Sequence, residues 1–396
     1  MRSTKDIIYL DASATCPPHE KVILEVLKVD KNHWANPSSL HTLGIQALDI
    51  LERSRNSIAK SFNVLPEQVL ITSGATESSN LALKGYAGSL SPGRMIISSV
   101  EHPSVQSVAN SLKKDGWTIQ YWPVDNQGLI DINLLDELLS PPTKLVSLIW
   151  GQNEIGTVQP INIIATECKK RNIFFHTDAT QVISQGLFDF SQLEIGALSA
   201  SAHKFRGPKG IGFLLIDRQY LGLISPIQGG GGQEYGLRSG TQSVSLAHGM
   251  AIALQQISFH IDIINKQAKF PSTKTSSLTS TLLSHLLNIK GISLTGHPEN
   301  RLPNLISLIV CSKNNIPISG RMLVRELSNY GIFVSSGSAC SSAKKSSSSV
   351  LEAINIDKKL IHSSLRISLG CWLTDLDCDY ITNIMSKTIE KIALTN

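Results

Sequence analysis

Charge is scarce in this chain of 396 residues: Asp, Glu, Lys and Arg make up 17%, and 36 basic against 31 acidic residues leave a formal net charge of +5. Aromatic residues are only 6% of the whole, and no basic tail or aromatic-interleaved basic patch accompanies the small positive excess. The chain therefore lacks the electrostatic footprint of a nucleic-acid or anionic-lipid binder. No unbroken apolar run reaches the roughly 18 residues of a membrane-spanning helix. The opening MRSTKDIIYLDASAT breaks its apolar run too soon for a secretory signal, so no membrane association is expected and the cytoplasm is the expected compartment. Six cysteines, Cys16, Cys168, Cys311, Cys340, Cys371 and Cys378, form no CxxC pair or Cys/His cluster, which excludes zinc or iron-sulfur ligation at the usual spacings. The GxGxxG and GxxxxGK[ST] signatures are also missing, removing the dinucleotide and P-loop readings.

What is present is a rhythm of short β-branched runs and helical stretches. IIYL near the start, VLITSG at 69–74, MIISSV at 95–100, WTIQYWPV at 117–124, LVSLIW at 145–150, IFFHTDA at 173–179 and GIGFLLID at 210–217 read as strands. Helix-like segments such as ATESSNLALKGY and IINIIATECKKR lie between them. This alternation predicts an α/β domain with a largely parallel sheet covered by helices on its faces. The tract GGGGQEYG at 229–236 interrupts it, and a later helix, ISLTG and NLISLIVC suit a smaller α/β domain in the C-terminal third. SSGSACSSAKKSSSSV at 335–350 reads as a loop with Cys340 at its centre.

Lys204 ends an apolar segment and precedes the glycine-rich FRGPKGIG, where an amine held deprotonated can form an imine. Taken alone, such a lysine reads as a surface residue. Asp178 changes the weighing, because it closes the strand-like IFFHT, and ligand-facing residues of open α/β sheets lie at strand C-terminal ends. A buried acid there can keep a pyridinium nitrogen protonated. In SGATESSN, Gly74 permits a tight turn, while the amides of Ala75 and Thr76 and the Thr76 hydroxyl suit a phosphate at a helix start; an ordinary helix cap with Glu77 explains the same residues. His102 before Pro103 could stack on a flat ring, Asn153 and Gln181 could offer amide hydrogens, and His203 could relay protons.

In order along the chain stand YLDASAT, NPSSLHTLG, TSGATESSN, EHPSV, NEIGTVQP, HTDATQ, SAHKFRGPKGIG, GGGQEYGLRSGT, SSGSACSSA and HSSLRISLG. With these motifs the chain resembles the cysteine desulfurase family of fold-type I pyridoxal-phosphate enzymes, in the nitrogen-fixation and iron-sulfur-assembly branch, over residues 9–370. The resemblance implies a large, mainly parallel seven-stranded sheet domain at 16–260, a small domain at 261–396 carrying the cysteine loop at about 335–350, and an N-terminal segment, 1–15, associated with the small domain. It implies pyridoxal 5'-phosphate bound through Lys204, with Asp178 on the ring nitrogen and His102 on the ring face. Ala75, Thr76, Ser201 and His203 are expected around the phosphate, with Thr241 contributed across a homodimer interface, and Asn153 and Gln181 near cofactor and substrate. Arg366 matches the clamp on the carboxylate of L-cysteine, for which a bidentate guanidinium is suited.

Cys340 matches the nucleophile that receives the sulfur as a persulfide and passes it to an iron-sulfur scaffold or another acceptor protein. The following AKKSSSS departs from the family wording; Lys344 and Lys345 could favour a thiolate or meet an acidic partner, although solvated lysines explain them as well. Cys16 stands where the family has threonine, and Gly151-Gln152 precedes NEIG in place of other small or polar residues. A selenocysteine lyase or an aminotransferase could use the same scaffold, but an aminotransferase does not need Cys340. A nonenzymatic assembly scaffold would leave Lys204, Asp178 and Arg366 without a shared purpose.

Overall fold

The computed structural model describes residues 7–337 and 348–395. Its strands are β1 (Ile8–Tyr9), β2 (Val69–Thr72), β3 (Arg94–Ser98), β4 (Thr118–Trp122), β5 (Thr143–Ile149), β6 (Phe174–Asp178), β7 (Ala197–Ser201), β8 (Gly212–Ile216), β9 (Asp262–Ile264), β10 (Gln267–Lys269), β11 (Ile292–Leu294), β12 (Leu305–Val310), β13 (Ile332–Phe333), β14 (Ser335–Ser336) and β15 (Ser364–Ser368). The first four helices are α1 (Glu20–Asn32), α2 (Thr42–Ser61), α3 (Ala75–Ala87) and α4 (Pro103–Lys114).

Seven strands form one sheet in the order β2-β8-β7-β6-β5-β3-β4. Every pair is parallel except the two made by β8. The ten residues between β7 and β8 are too few for a parallel crossover, which needs about a dozen or more, so β8 returns antiparallel. Successive residues of β5 and β8 bury themselves on opposite faces: Val146, Leu148, Phe213 and Leu215 join one core, Leu145, Leu214 and Ile216 the other. The second core is closed by α3 and α4 through Leu81, Leu83, Val105 and Val108. Both faces are thus dry, as a mainly parallel sheet requires.

A four-stranded antiparallel sheet, β11-β12-β15-β14, lies in the C-terminal part with its own core, in which Leu308, Leu323, Ile367 and Met385 are buried. Leu10 belongs to this core, and β1 pairs in parallel with β13. Ile261, past the expected boundary at 260, packs instead with the large-sheet core, and Ile263, Ala268 and Phe270 of the β9–β10 hairpin region lie against it. Within the segment expected to be a loop, Ser335–Ser336 pairs with β15 and Ser349–Ala353 forms a short helix.

β2, β3, β5, β6 and β7 run in the same direction, so the segments that follow them meet at one edge of the sheet. Those segments carry Ser73–Thr76, Glu101 and His102, Asn153, Asp178, and Ser201–Lys204.

Candidate active site

Lys204 ends the single helical turn that follows β7, and its Nζ donates to the carbonyls of Ser13 at 2.5 Å and Ala14 at 2.8 Å. The amine is therefore aimed by the N-terminal segment. That segment is held in turn by the C-terminal sheet: Ala12 N donates to Ser368 O at 3.1 Å and Ser13 N to Ser368 Oγ at 2.8 Å. Cys16 offers a donor here, since its thiol reaches Lys204 O at 3.0 Å. Burial pushes that thiol up to about 12, which makes it a poor nucleophile.

Asp178 is buried at the end of β6, one oxygen accepting from Thr180 N at 2.9 Å. His102 caps α4, with Nδ1 accepting from Ser104 N at 3.2 Å and paired with Ser104 Oγ at 2.8 Å. Burial lowers the His102 pKa, the Asp178 carboxylate opposes this, and Lys204 reinforces it. All three groups thus lie within electrostatic reach of one another. Beneath Asp178, on the same strand, His176 is fully buried between Ser147 Oγ and Ser199 Oγ, each at 2.8 Å. Burial pushes it down to about 4, so it is a neutral imidazole tying β5, β6 and β7 together.

The turn before α3 borders a hollow of about 480 Å³ lined by Gly74, Ala75, Thr76, Ser201 and His203, with Lys209 at its rim. Ser201 Oγ accepts from Ala75 N at 2.7 Å and so joins the end of β7 to the helix start. His203 holds Thr15 Oγ1 at 3.1 Å, and burial together with Lys204 and Lys209 pushes it down to about 4. Glycine keeps the cradle open. A Cβ on Gly212 would stand 2.3 Å from Ala200 O and 2.6 Å from the Gly74 Cα, forcing backbone apart. Glu77, in the first turn, is taken up by Arg238 Nε at 2.8 Å and Ser73 N at 2.7 Å; these bonds outweigh burial and lower its pKa.

Arg366 on β15 is 2% exposed. Its Nη1 donates to Asn153 O at 3.0 Å and its Nη2 to Asp11 Oδ1 at 2.9 Å, while Nε is buried with no hydrogen-bond partner. An unpaired guanidinium nitrogen in that position fits a carboxylate ligand. Gln152 shapes the turn that presents Asn153: its side-chain oxygen accepts from Ile155 N at 2.9 Å and its amide donates to Val100 O at 3.2 Å. Gln181 spends its amide on Ser13 O at 3.0 Å, so it secures the N-terminal segment. Thr241 is exposed. Cys340, Lys344 and Lys345 lie outside the described residues.

Asp11, Ser13, Glu101 and His176 were missed by the reading of the sequence. For His176 and Glu101 the available signal was a polar residue inside an otherwise apolar strand or beside the stacking histidine. For Asp11 and Ser13 no local signal exists, because their partners lie 355 residues away.

The donor set fits pyridoxal 5'-phosphate: an amine at a strand end, a buried acid and a neutral imidazole near it, and an open helix start for a phosphate. The fold and this set define a class of protein, and the chain belongs to the aminotransferase class-V family, whose model matches residues 8–381. Cysteine desulfurases are among its relatives within that class. The cysteine desulfurase IscS of Dictyoglomus turgidum is 36% identical over 388 residues, covering 97% of this chain and 95% of the relative. The mitochondrial cysteine desulfurase of Saccharomyces cerevisiae is 36% identical over 386 residues, with 97% and 75% covered. A solved NifS-like protein superposes with a TM-score of 0.84 at 33% identity, covering 98% of this chain and 100% of the other. A second, SspA in complex with cysteine, gives 0.79 at 30% identity over 92% and 99%. The family depends on pyridoxal 5'-phosphate.

Proposed function

We propose that this chain is a cysteine desulfurase that converts L-cysteine to L-alanine and delivers the sulfur, through a persulfide on Cys340, to an acceptor protein for iron-sulfur clusters or other sulfur-containing cofactors. The observation that carries the reading is the buried Arg366 Nε without a partner, on the same N-terminal segment contacts that orient Lys204. When bound, pyridoxal phosphate supplies the electron sink that weakens bonds at the α-carbon of an amino acid. Lys204 Nζ holds the cofactor and moves a proton from the substrate Cα. Asp178 keeps a proton on the ring nitrogen, and His102 presents its neutral face to the ring.

Ser201, His203 and Thr76 receive the phosphate, and Ala75 N holds the Ser201 hydroxyl toward it. Arg366 clamps the substrate carboxylate, next to the turn that carries Asn153. The Cys340 thiolate attacks the substrate sulfur; the Cβ–S bond breaks with its electron pair left on carbon, which takes up a proton. Replacing Cys340 with serine is expected to abolish persulfide formation and sulfur release from cysteine while the cofactor stays bound. Mass measurement after cysteine treatment reads this directly, and desulfuration persisting in the serine variant would remove Cys340 from its role.

Two further parts of the reading concern organisation. The large domain is proposed to extend through the β9–β10 hairpin to about Phe270, supported by the packing of Ile261 and its neighbours. A homodimer is proposed on the outer face of α1 and the connection from α1 to α2, where Leu24, Leu27, Trp34 (73% exposed) and Leu40 (93% exposed) stand in water. Thr241 lies three residues before the helix Val244–Gln255, which packs on both α1 and α2. Light scattering is expected to give twice the chain mass for the wild type and the single-chain mass for a Leu24→Glu/Leu27→Glu variant. Cytoplasmic residence is part of the same proposal; no helix among the described residues is long and apolar enough to cross a membrane.

A further inference from the structure

Glu101 lies between two residues of the proposed site, and its side chain does the work of a missing strand residue. The register of β3 with β5 ends at Ile97 and Ser147. Farther along β5, the Ile149 amide is taken at 2.7 Å by Oε1 of Glu101, and the same oxygen accepts from Ser98 Oγ at 2.5 Å. Both bonds pin the backbone one residue before His102. The other oxygen, Oε2, is buried and has no hydrogen-bond partner. Glu101 is 1% exposed, so an ionised carboxylate here would be a charge with one oxygen wholly unsolvated.

The surroundings offer no compensation. Asp178 faces Glu101 from β6 and is itself an acid, held in register with Ile149, the residue whose amide Glu101 accepts. His102 is the next residue on its own loop, and Lys204, from the end of β7, acts on His102. β5 contributes a backbone amide, and the turn after it sends the Gln152 amide to Val100 O.

We propose that Glu101 is a positioning residue that works as a neutral carboxylic acid: Oε1 completes the end of the sheet and fixes His102, while the proton on Oε2 keeps a second negative charge away from Asp178. The inference rests on the reading of His102 and Asp178 as the pair that holds the cofactor ring. Burial first, then the like charge of Asp178, push Glu101 up to about 8 against the hydrogen bonds from Ser98 and Ile149. Above that pH the acid ionises, and the added charge disturbs the grip on the ring. That ionisation adds its own alkaline step to the bound cofactor's absorption.

The test compares holoenzyme of the wild type, Glu101→Gln and Glu101→Leu. Infrared difference spectra at about pH 6 are expected to show the carbonyl stretch of one protonated acid that is missing from Glu101→Gln. In the wild type that band fades as pH rises through about 8, in step with the change in cofactor absorption. Glu101→Gln, neutral and of the same shape, is expected to retain the cofactor and lose the alkaline change, whereas Glu101→Leu releases the cofactor about tenfold faster on dialysis. Absence of the acid band, or release from Glu101→Gln as fast as from Glu101→Leu, overturns the proposal. Unchanged cofactor absorption in Asp178→Ala would instead fail the ring-holding reading, and with it the positioning role, while leaving the acid band of Glu101 in place.

Discussion

Lys204→Ala is expected to lower cysteine-dependent alanine formation by roughly 10³-fold, because one residue supplies both the covalent hold on the cofactor and the proton transfer at the substrate Cα. The visible absorption of the lysine-bound cofactor should vanish at the same time, and any residual pyridoxal phosphate should dialyse away. Stability is the control on this result. The lysine gives up two hydrogen bonds to the carbonyls of Ser13 and Ala14, each worth about 0.5–1.5 kcal/mol net, against the far larger total that the two sheets bury. Circular dichroism is therefore expected to report an intact fold. Alanine formation within tenfold of the wild type would take the assignment away from Lys204.

The largest effect on stability is expected at Glu234. Its two oxygens meet Arg55 in a bidentate pair, Nη1 to Oε2 at 2.7 Å and Nη2 to Oε1 at 2.8 Å, with side-chain exposures of only 2% and 0%. Ile71 N adds a bond to Oε2 at 2.9 Å. The pair also fixes an improbable backbone, since Glu234 and the following Tyr235 both sit at positive φ, 49° and 59°. Glu234→Ala leaves a guanidinium buried beside an unpaired strand amide, and should cost about 3–5 kcal/mol in chemical denaturation. Replacing Arg55 and Glu234 together with apolar residues of similar volume is expected to cost less than the single change. A loss below about 1 kcal/mol for Glu234→Ala would mean that water reaches the pair. The same loop carries Arg238, which holds Glu77 in the first turn of α3, so cofactor retention should fall along with stability.

Much of this molecule could be read from local pattern. Short apolar runs such as VLITSG and IFFHTDA marked strands whose C-terminal ends face a ligand, and a largely parallel sheet follows from their alternation with helices, while the count of seven strands came with the family resemblance. The direction of β8 was hidden, because a fully buried strand is apolar on both faces whichever way it runs; only the short connection after β7 reveals it. The β9–β10 hairpin was not foreseen either, since Asp262–Lys269 mixes charge and aliphatic residues without a clean period. At the site, Lys204, Asp178 and His102 were named from their places at strand ends, and Arg366 from the family resemblance. Those that work by holding another group were not. Glu101 acts on an amide 48 residues away and Asp11 on a side chain 355 residues away, distances at which sequence carries no spacing signal.

The N-terminal segment has a bearing on the order in which the molecule can be built. β1 and residues 11–14 are made before the large sheet, yet they pair with Ile332 and Phe333, with Ser368 and with Arg366, which are made long after it. The carbonyls that orient Lys204 belong to this segment, so the lysine acquires its final setting only after about residue 368 has emerged. The large sheet, complete by Ile216, can collapse long before that. A nascent chain halted before about residue 368 has emerged would thus carry a formed sheet and an unset lysine. Reactive cofactor chemistry is in this way withheld from unfinished chains by the topology of residues 8–14.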